Sequence, residues 1–302
     1  MRVLSVVGAR PNFMKIAPLA RALAARRGVT HVLVHTGQHY DRNMSDTFFE
    51  DLGAPEPDHN LEVGSGSHAA QTAAIMQRFE PVLLAERPDV VLVYGDVNST
   101  VAAALVAAKL GVRIGHVEAG LRSRDWSMPE EINRVVTDRL SDLLFTPSPD
   151  ADANLVAEGV PRERIHFVGN IMIDSLVALL PRARAADTPR RFGLSPGEFV
   201  VVTLHRPSNV DDAATLAGVM QALARVAEER PVLFPVHPRT RGRLEAFSVR
   251  SSNNRLRLMD PLGYVDMLSL VQAAGLVITD SGGLQEETSF LGIPCLTVRP
   301  NT

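Results

Sequence analysis

The 302-residue chain has one cysteine, few aromatic residues and almost no excess of either charge. A single cysteine, Cys295, excludes a disulfide within the chain and a zinc site built on cysteines, and its apolar strand-like surroundings predict burial. The net charge of −3 gives no attraction to nucleic acid or to an anionic membrane. No apolar run approaches the ~20 residues of a membrane-spanning helix. We therefore expect a cytoplasmic protein with neither nucleic acid nor membrane as partner.

Common catalytic signatures are absent as well. The turn after the first strand is neither a G-x-G-x-x-G nor a Walker motif, and no G-K-S or G-K-T occurs. No H-E-x-x-H or related histidine spacing is present, so we predict no metal. The lack of a G-x-S-x-G elbow disfavours a serine hydrolase.

Short apolar segments alternate with helical patterns along the whole chain, which predicts doubly wound α/β domains with parallel sheets. Segment 90–94 is apolar on both faces, as expected for a strand covered by helices on both sides. We predict two Rossmann-like domains, 1–170 and 171–302. The basic stretch 182–191 is predicted to be a solvated linker. The predicted strands are 2–7, 31–36, 89–94, 113–117, 143–146, 165–168, 199–204, 231–236, 255–259, 276–279 and 295–298.

Charged residues follow several predicted strands in the first half. Arg10 and Lys15 follow the first strand, where cations oppose the helix dipole, so they are either a solvated pair or ligands of a shared anion. Asp96 and Glu118 end two adjacent strands, and close carboxylates suit acid/base chemistry, although Asp96 could also be a turn or cap residue. Glu130 has capping-box spacing from Ser127 and is either a cap residue or a site acid.

In the second half, His205 and His237 each follow a strand, as cleft residues or satisfied loop histidines. Ser281-Gly282-Gly283 joins an apolar strand to an acidic helix start. A helix N-terminus there is a ready anion site, and Glu287, one turn further on, could accept hydrogen bonds from a ribose diol. Glycine at such a turn can also be turn chemistry alone.

Six motifs in register make the chain resemble one family across nearly its whole length. It resembles the non-hydrolysing UDP-N-acetylglucosamine 2-epimerases. The resemblance implies two Rossmann-like lobes of the GT-B type with a central cleft. The motifs are Gly8-x-Arg10-Pro11-x-x-x-Lys15, Gly95-Asp96, His116-Val117-Glu118-Ala119-Gly120-Leu121-Arg122, Pro129-Glu130-Glu131-x-Asn133-Arg134, Asp280-Ser281-Gly282-Gly283-x-Gln285-Glu286-Glu287 and Gly292-x-Pro294.

The resemblance implies reversible conversion of UDP-GlcNAc to UDP-ManNAc, through elimination of UDP to 2-acetamidoglucal and re-addition, without a cofactor. By matching position, it implies proton-transfer roles for Asp96, Glu118 and Glu130, which favours the site-acid interpretation of Glu130, and an active-site role for His205. Nucleotide-sugar contacts are implied for a further set: Arg10, Lys15, His237, Ser281, Gly282, Gly283 and Glu287.

Some family members bind a second UDP-GlcNAc as an activator, and Gln38, Arg206 and His237 match positions near that effector pocket.

The family also suggests a homodimer. Family members continue past Thr302, so we expect a C-terminally shortened second domain. A glycosyltransferase of the same architecture, a hydrolysing epimerase and a non-catalytic nucleotide-sugar binder remain as alternatives.

Overall fold

The computed structural model describes residues 1–37, 53–249 and 253–299, and for Arg10 and Pro11 it describes the backbone only. The predicted effector residue Gln38 therefore lies outside the described residues. The chain divides into two compact units, Met1–Ser175 and Leu176–Thr302. The predicted division after residue 170 lies just before the helix Ile171–Ala186.

The first unit is built on a seven-stranded parallel sheet with the order β3-β2-β1-β4-β5-β6-β7. Strand β4 is buried along its whole length, because helices cover both faces of the sheet. The strands are β1 Arg2–Val7, β2 Thr30–His35, β3 His59–Asn60, β4 Val90–Tyr94, β5 Arg113–Val117, β6 Leu143–Thr146 and β7 Ile165–Phe167.

The described helices of this unit follow the strands in the alternating order that parallel pairing requires. They are α1 Arg10–Ala24, α2 His68–Glu86, α3 Asn98–Lys109, α4 Pro129–Leu140, α5 Pro149–Ala157 and α6 Ile171–Ala186.

The second unit has a five-stranded parallel sheet with the order β10-β9-β8-β11-β12. Val200 and Val202 of β8 belong to one apolar cluster and Val201 to another, so this sheet too is buried on both faces. The strands are β8 Val200–Thr203, β9 Val232–Pro235, β10 Leu256–Met259, β11 Leu276–Thr279 and β12 Cys295–Thr297. The helices that begin in this unit are α7 Thr188–Arg191, α8 Pro207–Val210, α9 Ala213–Glu229, α10 Pro238–Ala246, α11 Tyr264–Val271 and α12 Gly282–Leu291.

Both sheets confirm the predicted doubly wound α/β class, and each reverses its strand order once. The reversal lies between β1 and β4 in the first sheet and between β8 and β11 in the second. Open α/β sheets bind ligands at such switch points, outside the carboxyl ends of the strands. The fold therefore marks one candidate ligand position in each unit.

Two local predictions are wrong. The stretch 182–191 has exposed arginines as predicted, but it is largely helical and not a linker, and Thr188 within it is fully buried, with its hydroxyl donating to Asp266 and its backbone N–H to Ser269. Cys295 is half-buried rather than buried, since it begins the edge strand β12. Within the described ranges, no helix combines the length and apolar character needed to cross a membrane.

Candidate active site

Lys15 and Glu118 form a close ion pair at the switch point of the first unit. The Lys15 ammonium lies 2.7 Å from Oε2 of Glu118, and the lysine is almost fully buried. Gly95, at the end of β4, passes beneath them with φ +61°. A Cβ at Gly95 would lie 2.8 Å from the Lys15 nitrogen and 3.6 Å from Oε1 of Glu118. A side chain at position 95 would therefore push the lysine ammonium from its present position beside Glu118.

The backbone of Glu118 is held in the left-handed region, with φ +73°. This conformation costs a residue with a side chain of order 1 kcal/mol, and such strain is concentrated at functional sites. The neighbouring amides compensate, because the N–H groups of both Glu118 and Ala119 donate to the carbonyl oxygen of Phe145 at 3.0 Å. The fold thus stabilises an unusual backbone at a residue that the sequence predicts to be catalytic.

Asp96 follows Gly95 and has its own cation. Its Oδ2 lies 2.5 Å from Nη2 of Arg134, and Nη1 of Arg134 lies 3.0 Å from the buried carboxylate of Glu131. The Asn133 side chain donates to the backbone carbonyl of Asp96 at 2.9 Å. About a third of the Asp96 side chain is exposed, so its carboxylate is oriented and also reachable from solvent.

Glu130 is half-buried in the first turn of α4, but the capping box considered for it is not formed. Met128 is the N-cap residue and makes no side-chain cap bond. The Ser127 hydroxyl donates instead to Asp125 at 2.6 Å. The cap interpretation of Glu130 is therefore wrong.

Glu131, which sequence reasoning passed over, is the structural carboxylate of this helix. It accepts hydrogen bonds from the backbone N–H groups of Ser123 and Arg124, at 2.9 and 2.8 Å, and from the Ser123 hydroxyl. Burial opposes its ionisation, but these bonds and Arg134 hold the pKa of Glu131 below its ordinary value. Glu131 therefore fixes Arg134, and through it Asp96.

In the second unit, His205 is oriented by Asp280. The Nδ1 of His205 lies 3.0 Å from the fully buried carboxylate of Asp280, which also accepts the backbone N–H groups of His205 and Arg206 and the side-chain amide of Asn209. Burial opposes ionisation, yet these bonds lower the pKa of Asp280 to about 2. Because Nδ1–H donates to Asp280, His205 presents Nε2, and its side chain is 41% exposed.

The anion site predicted at Ser281-Gly282-Gly283 is the N-terminus of α12. Ser281 is the N-cap, and its hydroxyl accepts the backbone N–H of Leu284. The helix therefore begins directly at the carboxyl end of β11, with its positive end at the switch point.

Two arginines flank this helix start. Nε of Arg206 donates to the carbonyl oxygen of Asp280 at 3.2 Å, and Arg299 comes within 3.6 Å of where a Cβ at Gly282 would lie. Burial and the charge of Arg206 lower the pKa of Arg299. Two guanidinium groups that repel one another beside a helix N-terminus suit a multiply charged anion.

Glu287, one turn into α12, is buried and accepts a hydrogen bond from the Tyr264 hydroxyl at 2.8 Å. Burial raises the pKa of Glu287 to about 7, an effect that the Tyr264 bond opposes and the nearby Glu286 reinforces. The carboxyl group is therefore partly protonated near neutral pH and could exchange hydrogen bonds with a diol.

His237 has a clear structural role. It is the N-cap of α10, and its Nδ1 accepts the backbone N–H of Arg239 at 3.2 Å. Its ring centroid lies 5.4 Å from that of His205. The structure thus brings His205, Arg206 and His237 together in one unit. The predicted effector and substrate roles of these residues remain predictions, as does the role of the Arg10 side chain.

Among the described residues, no group of three histidine, cysteine or acidic side chains is arranged to hold a metal ion. The described functional groups are instead carboxylates, cations and helix amides.

A family model described as UDP-N-acetylglucosamine 2-epimerase matches residues 21–302. The chain belongs to the UDP-N-acetylglucosamine 2-epimerase family. The family indicated by the sequence motifs is therefore confirmed.

Individual relatives of the family cover nearly the whole chain. A UDP-N-acetylglucosamine 2-epimerase of Methanococcus maripaludis is 42% identical over 98% of this chain and 82% of its own length. A UDP-2,3-diacetamido-2,3-dideoxy-D-glucuronate 2-epimerase of Pseudomonas aeruginosa is 44% identical over 100% of this chain and 84% of its own. The crystal structure of Methanocaldococcus jannaschii UDP-GlcNAc 2-epimerase in complex with UDP-GlcNAc and UDP has a TM-score of 0.89 at 41% identity, covering 100% of this chain and 85% of that one. This likeness confirms the GT-B-like fold class.

Proposed function

We propose that this chain epimerises C2 of UDP-N-acetylglucosamine to give UDP-N-acetylmannosamine, without net hydrolysis. One observation carries the proposal: Asp96 and Glu118 follow neighbouring parallel strands at a switch point, and each carboxylate has its own cation. Proton transfer at C2 needs oriented acids and bases that stay in place while charge moves.

The proposed reaction is an elimination followed by re-addition. A carboxylate takes the C2 proton while the C1–O bond breaks, and UDP leaves with the electron pair to give 2-acetamidoglucal. UDP then adds back at C1, and C2 receives a proton on the opposite face. The atoms balance without an oxidant or a reductant, so no cofactor is required.

We assign the proton transfers to Asp96, Glu118 and Glu130, and propose that His205 acts at the departing diphosphate oxygen. The exposure of the His205 side chain supports this role, since Asp280 holds Nδ1 and leaves Nε2 for the substrate. Lys15 and Arg10 are proposed to contact the sugar nucleotide.

The uridine diphosphate is assigned to the second unit. The N-terminus of α12 at Ser281, Gly282 and Gly283 suits the diphosphate, and Arg206 beside it supplies charge. Glu287 is proposed to accept the ribose hydroxyls. His237, whose ring lies beside that of His205, is proposed to contact the sugar nucleotide as well.

A second substrate has an observation of its own. The Pseudomonas aeruginosa relative, at 44% identity, is named for UDP-2,3-diacetamido-2,3-dideoxy-D-glucuronate. Both substrates offer the same C2 proton and the same UDP leaving group, so the chemistry proposed above applies to either.

The test is incubation with each UDP-sugar in D₂O, with C2 followed by NMR. Deuterium at C2 together with the C2-epimeric UDP-sugar is the expected result, and the faster substrate identifies the sugar. Release of free N-acetylmannosamine would show a hydrolysing enzyme instead. Binding of both sugars without any exchange would contradict epimerisation and support a nucleotide-sugar binder, while sugar transfer without exchange would support a glycosyltransferase.

A further inference from the structure

His116 is a fully buried titratable residue that the proposed reaction does not use. It lies on β5, two residues before Glu118. Its Nδ1 is 2.6 Å from Oδ1 of Asp138 on α4, and its Nε2 is 2.8 Å from the carbonyl oxygen of Gly95. Both ring nitrogens are therefore engaged.

Both partners of the ring can only accept a proton. A backbone carbonyl has no hydrogen to give, so Nε2 must carry one. Burial opposes the ionisation of Asp138, but His116 and Arg122 hold the pKa of this carboxyl below its ordinary value. Since the ionised carboxylate also only accepts, Nδ1 carries a hydrogen too. Hydrogen bonding at both nitrogens thus requires an imidazolium.

Neighbouring charges balance this cation. Nη1 of Arg122 lies 2.7 Å from Oδ2 of Asp138, and its Nε and Nη2 donate to the two carboxylate oxygens of Glu158, each at 2.7 Å. The two cations and two anions sum to zero charge. A buried charge needs such paired and hydrogen-bonded surroundings to be tolerated.

The network holds the two turns that carry the proposed catalytic acids. At one end, His116 binds the carbonyl of Gly95, whose left-handed turn leads directly to Asp96. At the other end, Asp138 accepts the backbone N–H of Gly120 at 3.1 Å, two residues after the strained Glu118. One buried ion pair therefore spans both turns.

We propose that His116 is a positioning residue, held as a buried imidazolium by Asp138, that sets the Gly95–Asp96 turn against the Glu118 turn for proton transfer at C2. The proposal rests on the proposed function for what these turns do. Its structural part, the doubly protonated ring, stands independently of that function.

The protonation state is tested by ¹⁵N NMR of the full chain with labelled histidine, with His116→Gln used to assign the signal. At pH 7, both ring nitrogens of His116 are expected to show directly bonded hydrogens. A bare ring nitrogen at pH 7 in the folded protein would overturn the proposal. This readout needs no turnover, so it decides the point even where the C2 exchange assay shows no epimerase activity and the proposed function fails.

The positioning role is tested by the kinetics of His116→Gln, which keeps an amide donor but no charge. We expect kcat to fall about 100-fold, the order expected for a small misplacement of reacting groups, with KM and the Kd for UDP near wild type. In Asp138→Asn, the His116 ring should lose its second hydrogen, and kcat should again fall with KM and the Kd for UDP near wild type. This variant takes the place of His116→Gln if His116→Gln fails to fold.

The matched control is Asp142→Asn. Asp142 accepts the backbone N–H of Ile114 at 2.9 Å, so it is a hydrogen-bonded carboxylate at the opposite end of the same strand. Its loss should lower thermal stability and leave kcat unchanged. Wild-type kcat in a folded His116→Gln protein, or an equal loss in the Asp142→Asn control, would refute the positioning role.

Discussion

The two units present their charges in opposite ways. In the first unit, Glu118 and Asp96 are each paired with a cation, and Glu118 is held in a strained backbone conformation. In the second unit, Arg206 and Arg299 repel one another beside a helix N-terminus. Paired, oriented acids suit proton transfer, whereas two neighbouring guanidinium groups beside a helix N-terminus suit a bound anion. The difference indicates a division of labour between chemistry and binding.

Burial sharpens this contrast. Each unit has a deeply buried acid that orients a neighbouring site residue, Glu131 in the first and Asp280 in the second. Glu131 holds a cation, Arg134, which in turn orients Asp96. Asp280 holds His205 directly. Similar hydrogen-bonded carboxylates therefore support a proton-transfer acid in one unit and an exposed imidazole in the other.

The largest effect is expected for Asp96→Asn. The amide keeps the size of the side chain but cannot take a proton, so C2 exchange in D₂O should fall by about 10³-fold or more. Affinity for UDP, measured by calorimetry, should stay close to wild type, because we assign UDP to the second unit.

The control for Asp96 lies at the other end of the same strand. Asp89 precedes β4, where its carboxylate accepts the backbone N–H of Arg2 at 2.6 Å. Asp89→Asn should alter stability alone. Wild-type exchange in Asp96→Asn would remove this acid from the mechanism, and an equal loss of UDP binding would break the division between the units.

The next effect is expected for Asp280→Asn, which replaces the acceptor of His205 Nδ1–H by an amide. The ring should then turn or change tautomer, and kcat should fall about 100-fold. Histidine ¹⁵N shifts of His205 report the tautomer directly.

Asn209→Ala is the matched variant. It removes another hydrogen bond to Asp280, at 3.0 Å, but leaves the His205 pair intact. It should reduce kcat far less than Asp280→Asn. Equal losses in the two variants would mean that Asp280 shapes the loop alone and does not orient His205.

The smallest effect concerns the pH dependence of Glu287. Its pKa is raised from 4.5 to about 7, so between these values the folded protein binds the proton more tightly than the unfolded chain. The contribution to the free energy of unfolding is complete below about pH 4.5 and is lost as pH rises to about 7, by about 3 kcal/mol in all.

Glu287→Gln should remove this part of the pH dependence in denaturant titrations and weaken UDP binding about tenfold, since the amide oxygen is a weaker acceptor than the carboxylate form of Glu287. Glu286→Gln, an exposed neighbour on the same helix, should change both much less. A stability curve for Glu287→Gln that still falls between pH 4.5 and 7 as in the wild type would show that another group is responsible.

Sequence reasoning located the strands well because parallel strands buried on both faces are continuous apolar runs. Val90–Tyr94 is one example, fully buried as its composition predicts. The same reasoning placed Asp96, Glu118 and His205 at strand ends, since strand ends are visible in the sequence.

The sequence did not indicate which residues far apart in the chain form hydrogen bonds with one another. Asp138 meets His116 from a separate helix, and Tyr264 reaches Glu287 from another, with no local pattern to signal either contact. The Ser127–Glu130 spacing predicted a cap that is not formed, because Asp125 takes the serine hydroxyl. Among these partners, Asp280 is the one that the sequence could have indicated, because it is an acid directly before the Ser281-Gly282-Gly283 turn.

The glycine beneath the Lys15–Glu118 pair has an evolutionary consequence. A Cβ at position 95 would come within 2.8 Å of the lysine nitrogen, which must then shift, and the left-handed backbone adds a further cost for a residue with a side chain. Positions 15, 95 and 118 are therefore coupled in the changes that they accept. A descendant of this chain that acquires a side chain at position 95 must also move the lysine ammonium relative to Glu118, and with it the geometry of the first unit's site.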